Sequence, residues 1–384
     1  MLAAPGYDLD GWRKRIPLLS SLIPLNNCSQ SPQCDVTRAA AERYLASWNG
    51  AGMDWDAWME EVRLAKAEFA RLINASPDDV AIFGSVSEAT SAVASAIDFS
   101  GPRKNVVVTE AEFPTIGHVW LAQERRGATV KWVPVSDEGV IELSAYDSVL
   151  DENTAVVSAC HGYYLNGALQ NLGAIAERAH ANGALLYVDA YQSLGTVPVD
   201  VKAANVDFLA SGNLKFLMGV PGVAFLYVRR DVAERMEPAT TGWFGRSNPF
   251  AFTVKQLDWA PSATRFDMGT PPIINAYISR AGMQIINDLG VPAVRAWLEV
   301  LGRRLIAGAH ERGLTVHGPL EMSRKTATTA IVVDDSHHVE LEMRRAGFLP
   351  SARGPVVRLA PHFYNSIDDV DSALDALTTI LARS

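Results

Sequence analysis

Between residues 80 and 230 the chain alternates short apolar runs with longer stretches of mixed apolar and polar positions. The runs fall at 80–83, 105–108, 129–133, 155–158, 185–189, 208–210 and 223–228. Short runs that are apolar at nearly every position predict strands buried on both faces. The stretches between most of them supply covering helices, so the pattern predicts an α/β fold on a mostly parallel, seven-stranded sheet with helices on both faces. Upstream, 35–49 and 54–74 carry helical periodicity. Trp55, Trp58, Val62 and Ala65 recur three or four apart, as do Phe69 and Leu72. Residues 8–25 read as a short helix and a loop punctuated by Pro17 and Pro24. Downstream, 270–312 reads as long helix interrupted at Pro292. Strands at 314–317 and 327–333, a helix at 338–346, a strand at 356–359 and a helix at 367–381 then predict a smaller α+β unit. The expected organisation is an N-terminal segment 1–20, a large domain 21–282 and a small C-terminal domain 283–384.

Composition narrows the function. The 384 residues are 48% hydrophobic and 20% charged, enough for a large core and unlike a disordered chain. A net charge of −9 argues against nucleic acid or an anionic membrane as partner. No apolar run is long enough to span a bilayer, and the stretch from Met1 to Asp8 lacks the basic start and apolar core of a signal peptide. Cys28, Cys34 and Cys160 form neither a disulfide framework nor a zinc spacing, so no metal is expected and a reducing cytoplasm is the expected compartment.

Candidate chemistry gathers at predicted strand ends. Lys215 follows the run 206–210 and precedes a Gly/Pro turn at 220–222 and another apolar run. An amine walled in by apolar segments loses solvation, its pKa falls, and it becomes a nucleophile toward an aldehyde. Asp189 ends the preceding apolar run, 185–188. A carboxylate and a lysine on neighbouring strand ends suit pyridoxal phosphate, with Lys215 as Schiff-base amine and Asp189 keeping the ring nitrogen protonated. Each half alone has a plainer reading: a snorkelling lysine and a helix N-cap. The segment 84–90 follows a strand and opens a helix, so Ser85 or Ser87 either caps that helix or helps its first amides hold a phosphate. Phe113 suits stacking on an aromatic ring or packing in the core. His161 suits a proton carrier or a structural histidine. Cys28 has no visible base and reads as a loop thiol.

Together these segments resemble the class V aminotransferase family of fold-type I pyridoxal-phosphate enzymes, in its kynureninase-like and cysteine-desulfurase-like branches. The likeness is carried by 85–90, 113–115, 189–192, 211–215, 242–245, 265–273 and 357–366, and it covers nearly the whole chain. It implies that Lys215 is the Schiff-base lysine and proton shuttle, Asp189 the partner of the ring nitrogen and Gln192 a hydrogen-bond partner of the ring's phenolic oxygen or of the Schiff-base region. It implies that Phe113 stacks on the ring. It makes Ser87, Glu88 and Ala89 phosphate donors, with Thr115, Ser211 and Asn213 beside them. Trp243 and Thr270 would reach the phosphate of the other subunit, implying a homodimer with shared sites. Arg358 would hold the substrate α-carboxylate, with Tyr163 near the substrate. Arg265 and Arg353 are further candidates to share that carboxylate.

Three departures bear on the reaction. Residues 346–355 contain no cysteine, so the persulfide-forming nucleophile of desulfurases is absent, and Leu214 stands where desulfurases usually carry histidine. Asp189-Ala190-Tyr191-Gln192 replaces the Asp-Leu-Ala-His usual in kynureninases. The expected activity is a pyridoxal-phosphate enzyme acting on an α-amino acid as small-molecule substrate, leaning to lyase or transferase chemistry. The alternatives are an aminotransferase proper, a kynureninase-like hydrolase, an amino-acid racemase or epimerase, and a non-catalytic protein of this fold. A dinucleotide-binding enzyme would need Gly-x-Gly-x-x-Gly after the first strand, which 84–89 does not supply.

Overall fold

The computed structural model describes residues 4–383. Met1, Leu2 and Ala3 of the expected N-terminal segment, and Ser384, lie outside the described residues. The chain begins with α1 (Leu9–Lys14), β1 (Ile23–Pro24), α2 (Asp35–Ala51) and α3 (Trp55–Leu72). The alternating region follows as β2 (Val80–Phe83), α4 (Val86–Ser95), β3 (Asn105–Thr109), α5 (Pro114–Leu121), β4 (Thr129–Val133) and α6 (Leu143–Asp147). It continues through β5 (Thr154–Cys160), α7 (Leu172–Ala181), β6 (Leu185–Asp189), β7 (Phe208–Gly212), β8 (Ala224–Val228) and α8 (Arg230–Ala233). Two long helices, α9 (Ile273–Leu289) and α10 (Val291–Glu311), lead to β9 (Val316–His317), β10 (Thr329–Val332), α11 (Ser336–Arg345), β11 (Phe348–Leu349), β12 (Ser351–Arg353), β13 (Val356–Leu359) and α12 (Ile367–Leu381).

Seven strands form the large sheet in the order β2-β8-β7-β6-β5-β3-β4. All neighbours are parallel except β8, which runs against both β2 and β7. The connection from β7 to β8 contains no helix, and a parallel return needs a crossover of about a dozen residues or more. Along each strand, successive residues enter opposite cores. Val107 joins the layer of Phe69, Leu172, Ile175 and Met283, whereas Val106 and Val108 join the layer of Val93, Ile116 and Trp120. Helices therefore cover both faces, which explains why the strands read as continuous apolar runs. Each such buried side chain contributes roughly 1.5–3 kcal/mol.

β2, β3, β5, β6 and β7 point the same way, so the turns after them converge at one edge of the sheet, where ligands bind in such folds. The second sheet, β12-β13-β10-β9, is antiparallel throughout. β1 pairs in parallel with β11, Ile23 opposite Phe348 and Pro24 opposite Leu349, and Asn26 bridges to Ala360. These contacts hold residues 26–31 between the small sheet and the β7 loop. Sequence periodicity did not predict β1, β11 or β12. Each is two or three residues long and shows no period.

Candidate active site

A cavity of about 400 Å³ opens at the converging strand ends, and both sheets line it. Its anion end is the start of α4. Ser85 caps this helix by accepting from the Glu88 amide at 3.2 Å, and the Glu88 carboxylate turns back to accept from the Gly84 amide at 3.0 Å. The first amides of a helix have no intrahelical acceptor, so those of Val86 and Ser87 carry the positive end of the helix dipole toward the cavity. The Ser87 hydroxyl meets that of Thr115 at 2.7 Å, adding two hydroxyls to the same end. Gly84, Ser85, Val86, Ser87 and Thr115 all line the cavity.

Asp189 forms the floor, its Oδ1 accepting from the Tyr191 amide at 2.8 Å. Burial pushes its pKa up, while the Tyr191 amide and the Lys215 ammonium pull it down. Behind it Glu112 is buried, with one oxygen accepting from Ser158 and the other without a partner among the described residues. Burial, and then the nearby charge of Asp189, push Glu112 well above the usual carboxylate range.

Lys215 stands opposite. Its Nζ lies 4.1 Å from the Tyr191 ring centroid and 5.7 Å from that of Phe113. Burial lowers its pKa to about 8, more strongly than Asp189 raises it, and Arg358 and Arg353 add to the lowering. The lysine's backbone is fixed from the N-terminal segment. The Ser31 amide donates to the Leu214 carbonyl at 3.0 Å, and the Ser31 hydroxyl to the Lys215 carbonyl at 2.6 Å. Gln192 lines the cavity and donates to the Cys28 carbonyl at 3.1 Å, and its buried Oε1 has no partner among the described residues.

Gly212 supplies space for this arrangement. A Cβ there would fall 2.2 Å from the Tyr191 ring. Gly212→Ala is expected to displace that ring, to cost about 1–3 kcal/mol of stability, and to weaken cofactor uptake. A spectroscopic titration of the purified variant, alongside its melting curve, checks both. Unchanged uptake would show that the Tyr191 position is immaterial.

Arg358 is 1% exposed. It donates to the Tyr164 carbonyl at 2.7 Å, the Ser29 hydroxyl at 3.1 Å and the Ser351 hydroxyl at 2.5 Å. Every one of these acceptors is uncharged, so the guanidinium is buried without a carboxylate.

Not every predicted site residue reaches the cavity. His161 follows Cys160, and successive strand residues face opposite ways. Cys160 lines the cavity, so His161 turns away to Ser193, 2.8 Å from Nδ1, and lines a separate cavity with Tyr146 and Gln170. Burial, reinforced by Arg295, lowers its pKa to about 4. Tyr163 is likewise displaced by its neighbour Tyr164, which lines the cavity and meets Phe113 edge-on at 5.4 Å. Ala89, Ser211 and Asn213 are buried beside the site and do not line it. Trp243 packs against Trp55 and Phe244 outside the cavity, and Thr270 is exposed. Arg265 is held by the carbonyls of Ala260 and Met236, away from the cavity. Arg353 lines it. Sequence reasoning missed Ser29 and Ser31, and it read Cys28, which lines the cavity, as a loop thiol. The polar turn at 26–29 was the available signal, but it carries no mark of the distant small-sheet strand that positions it.

The family model described as aminotransferase class-V matches residues 25–345. An uncharacterized aminotransferase of Bacillus subtilis (strain 168), YcbU, is 36% identical over 366 residues, 95% of this chain and 96% of that protein. Among solved structures, an apo cysteine desulfurase from Thermococcus onnurineus NA1 superposes with a TM-score of 0.89 at 21% identity, over 100% of this chain and 99% of that one. A lysine-to-alanine mutant of C-DES, solved with glycine covalently linked to its pyridoxal-phosphate cofactor, superposes at 0.87 with 18% identity, over 95% of this chain and 98% of that one.

Proposed function

The chain is an enzyme belonging to the aminotransferase class-V family, and on that footing we propose that it uses pyridoxal phosphate to act on a small α-amino acid, by lyase or transferase chemistry. The observation that carries this reading is that Lys215 and Asp189 face one cavity whose anion end is the start of α4. Pyridoxal phosphate, when bound, supplies an aldehyde that takes an amine and a ring that draws electrons from the substrate's α-carbon. The residues present fit such a group. The α4 amides with Ser87 and Thr115 would hold its phosphate. Asp189 would face the ring nitrogen, Phe113 would lie against the ring, and the unpartnered Oε1 of Gln192 would face a polar ring substituent.

Lys215 Nζ would hold the aldehyde carbon and, once displaced by substrate, carry a proton to or from the α-carbon. A pKa of about 8 suits both tasks near neutral pH. Arg358 would hold the α-carboxylate, since a buried guanidinium with only neutral partners gains most from an anion. Residues 346–355 offer no thiol, and the Cys160 thiol is buried and donates to the Ala111 carbonyl. Persulfide chemistry of the desulfurase type therefore lacks its nucleophile in that loop.

Arg358→Lys tests the carboxylate role, because an ammonium cannot make the bidentate pair. KM for amino acids is expected to rise tenfold to a hundredfold, from the roughly 1.5–3 kcal/mol of a hydrogen bond to a charged group, with kcat much less affected. An unchanged KM would place the carboxylate elsewhere.

We further propose a homodimer in the cytoplasm. Trp243, Phe250 and Phe252 form an aromatic cluster with Phe252 72% exposed, and nearby Val254 is 98% exposed, an apolar patch that a second copy would cover. Trp243 and Thr270 lie at or near this face. All three cysteines are unpaired and buried, as suits a reducing compartment. Among the described residues no helix is long and apolar enough to cross a membrane.

A further inference from the structure

Arg353 and Arg358 stand on one face of the β12–β13 hairpin. Ser351 is opposite Arg358 and Arg353 is opposite Val356. Residues two apart on a strand share a face, and so do directly opposed residues in an antiparallel pair. Arg353 is therefore the diagonal neighbour of Arg358, with Cβ atoms about 7–8 Å apart. Both side chains line the cavity of Lys215.

Their partners differ. Arg358 is buried and held in place by Tyr164, Ser29 and Ser351. Arg353 is exposed, and no hydrogen bond or ion pair joins its side chain to any described residue. Three cationic side chains, Lys215, Arg353 and Arg358, line the cavity, against a single acid among its described lining residues, Asp189. Asp189 is committed to the floor, and the donors expected for a phosphate include neither arginine. A monocarboxylic amino acid would occupy one guanidinium and leave the other facing the cavity unpaired.

We propose that the cavity is built for an amino acid with a second anionic group on a short side chain, Arg358 taking the α-carboxylate and Arg353 the side-chain anion. The inference rests on the cavity being an amino-acid site, as proposed above. It makes Arg353 the residue that sets specificity: a free guanidinium offers paired donors to a planar anion. Both arginines also lower the Lys215 pKa, so an anion paired with each would return that amine toward its ordinary value.

The test is calorimetric binding of succinate and glutarate, against acetate and butyrate, to the pyridoxal-phosphate-loaded protein, in the wild type and in Arg353→Ala and Arg353→Lys. These anions bind without any reaction at Lys215, so affinity is read apart from turnover. The dicarboxylates are expected to bind about tenfold more tightly or better in the wild type, the scale of a hydrogen bond to a charged group. Arg353→Ala should erase that advantage while leaving the monocarboxylates within about twofold, and Arg353→Lys should restore part of it. Equal binding of both classes by the wild type, or equal weakening of both by Arg353→Ala, would overturn the proposal, the latter by making Arg353 a second clamp on one carboxylate. A protein that fails to load pyridoxal phosphate would overturn the reading of the site itself, whereas a loaded protein without dicarboxylate preference overturns this inference alone.

Discussion

Lys215→Ala is expected to remove turnover, by on the order of 10⁴-fold or more, while leaving a folded protein. The side chain makes no hydrogen bond to another described residue, so its loss leaves no donor or acceptor unpaired, although Asp189 loses a nearby positive charge. The backbone at 214–215 stays anchored by Ser31. What disappears is the amine that holds the cofactor aldehyde and moves the substrate's proton. Two measurements separate these effects from misfolding: the melting curve should move little, and the visible absorbance of the loaded wild type should be lost or shifted. Steady-state activity surviving in the variant would sink the assignment. The wild type carries a linked expectation. The neutral amine is the nucleophile, and burial places its pKa at about 8 instead of the ordinary 10.5. Cofactor capture by apo-protein should therefore accelerate as pH rises toward about 8 and level off above it. A rate still climbing through pH 10 would mean that Lys215 is solvated.

Asp189→Ala should cost about 10²–10³-fold in kcat, the range seen when one preorganised electrostatic group is removed from an active site. Asp189 is the one acid among the described residues lining the cavity, which it shares with Lys215, and Glu112 is buried behind it. Without it the ring nitrogen has no charged partner and the electron sink weakens. Glu112 is poorly placed to substitute, since it lies behind and is engaged by Ser158. The Tyr191 amide also loses its acceptor, so cofactor affinity should fall as well. Near-normal kinetics with normal affinity would remove Asp189 from the proposed role. Asp189→Asn keeps the shape and the acceptor while removing the charge, and it should be nearly as slow as the alanine variant.

Hydrophobic periodicity is legible where many residues repeat it. All seven strands of the large sheet lie within a residue or two of the apolar runs; six are buried along almost their whole length, because they are covered on both faces, while the edge strand β4 buries only Val133. The break near Pro292 is visible for a similar reason. Pro292 sits in the first turn of α10, and Gly290, at φ +81°, ends α9. Lys215, Asp189, Phe113, Ser87 and Thr115 all line the cavity, since each follows a strand whose end can be located. The direction of a side chain just past a strand end was less legible. His161 and Tyr163 are each one residue from a lining residue, and a period of two sends them away. The contribution of residues 28–31 was not legible beyond a polar turn. It depends on β1 pairing with β11, a contact between strands of two residues each at opposite ends of the chain. Arg358 stood out by its setting, but its uncharged partners Tyr164, Ser29 and Ser351 come from three separate segments that only the fold brings together.

The central claim is that Lys215 is the residue that bonds the cofactor. A second buried lysine provides a stringent comparison: Lys325 is fully buried, its pKa lowered by burial to about 7, and its Nζ donates to the Thr329 hydroxyl at 3.2 Å, yet it does not line the cavity. By pKa alone it would be the better nucleophile near neutral pH. The decisive measurement is borohydride reduction of the wild-type protein loaded with pyridoxal phosphate, followed by peptide mapping by mass spectrometry. The account predicts one stoichiometric adduct, on the peptide containing Lys215. An adduct on Lys325 or another lysine, or a loaded protein that reduces without labelling any lysine, would contradict it.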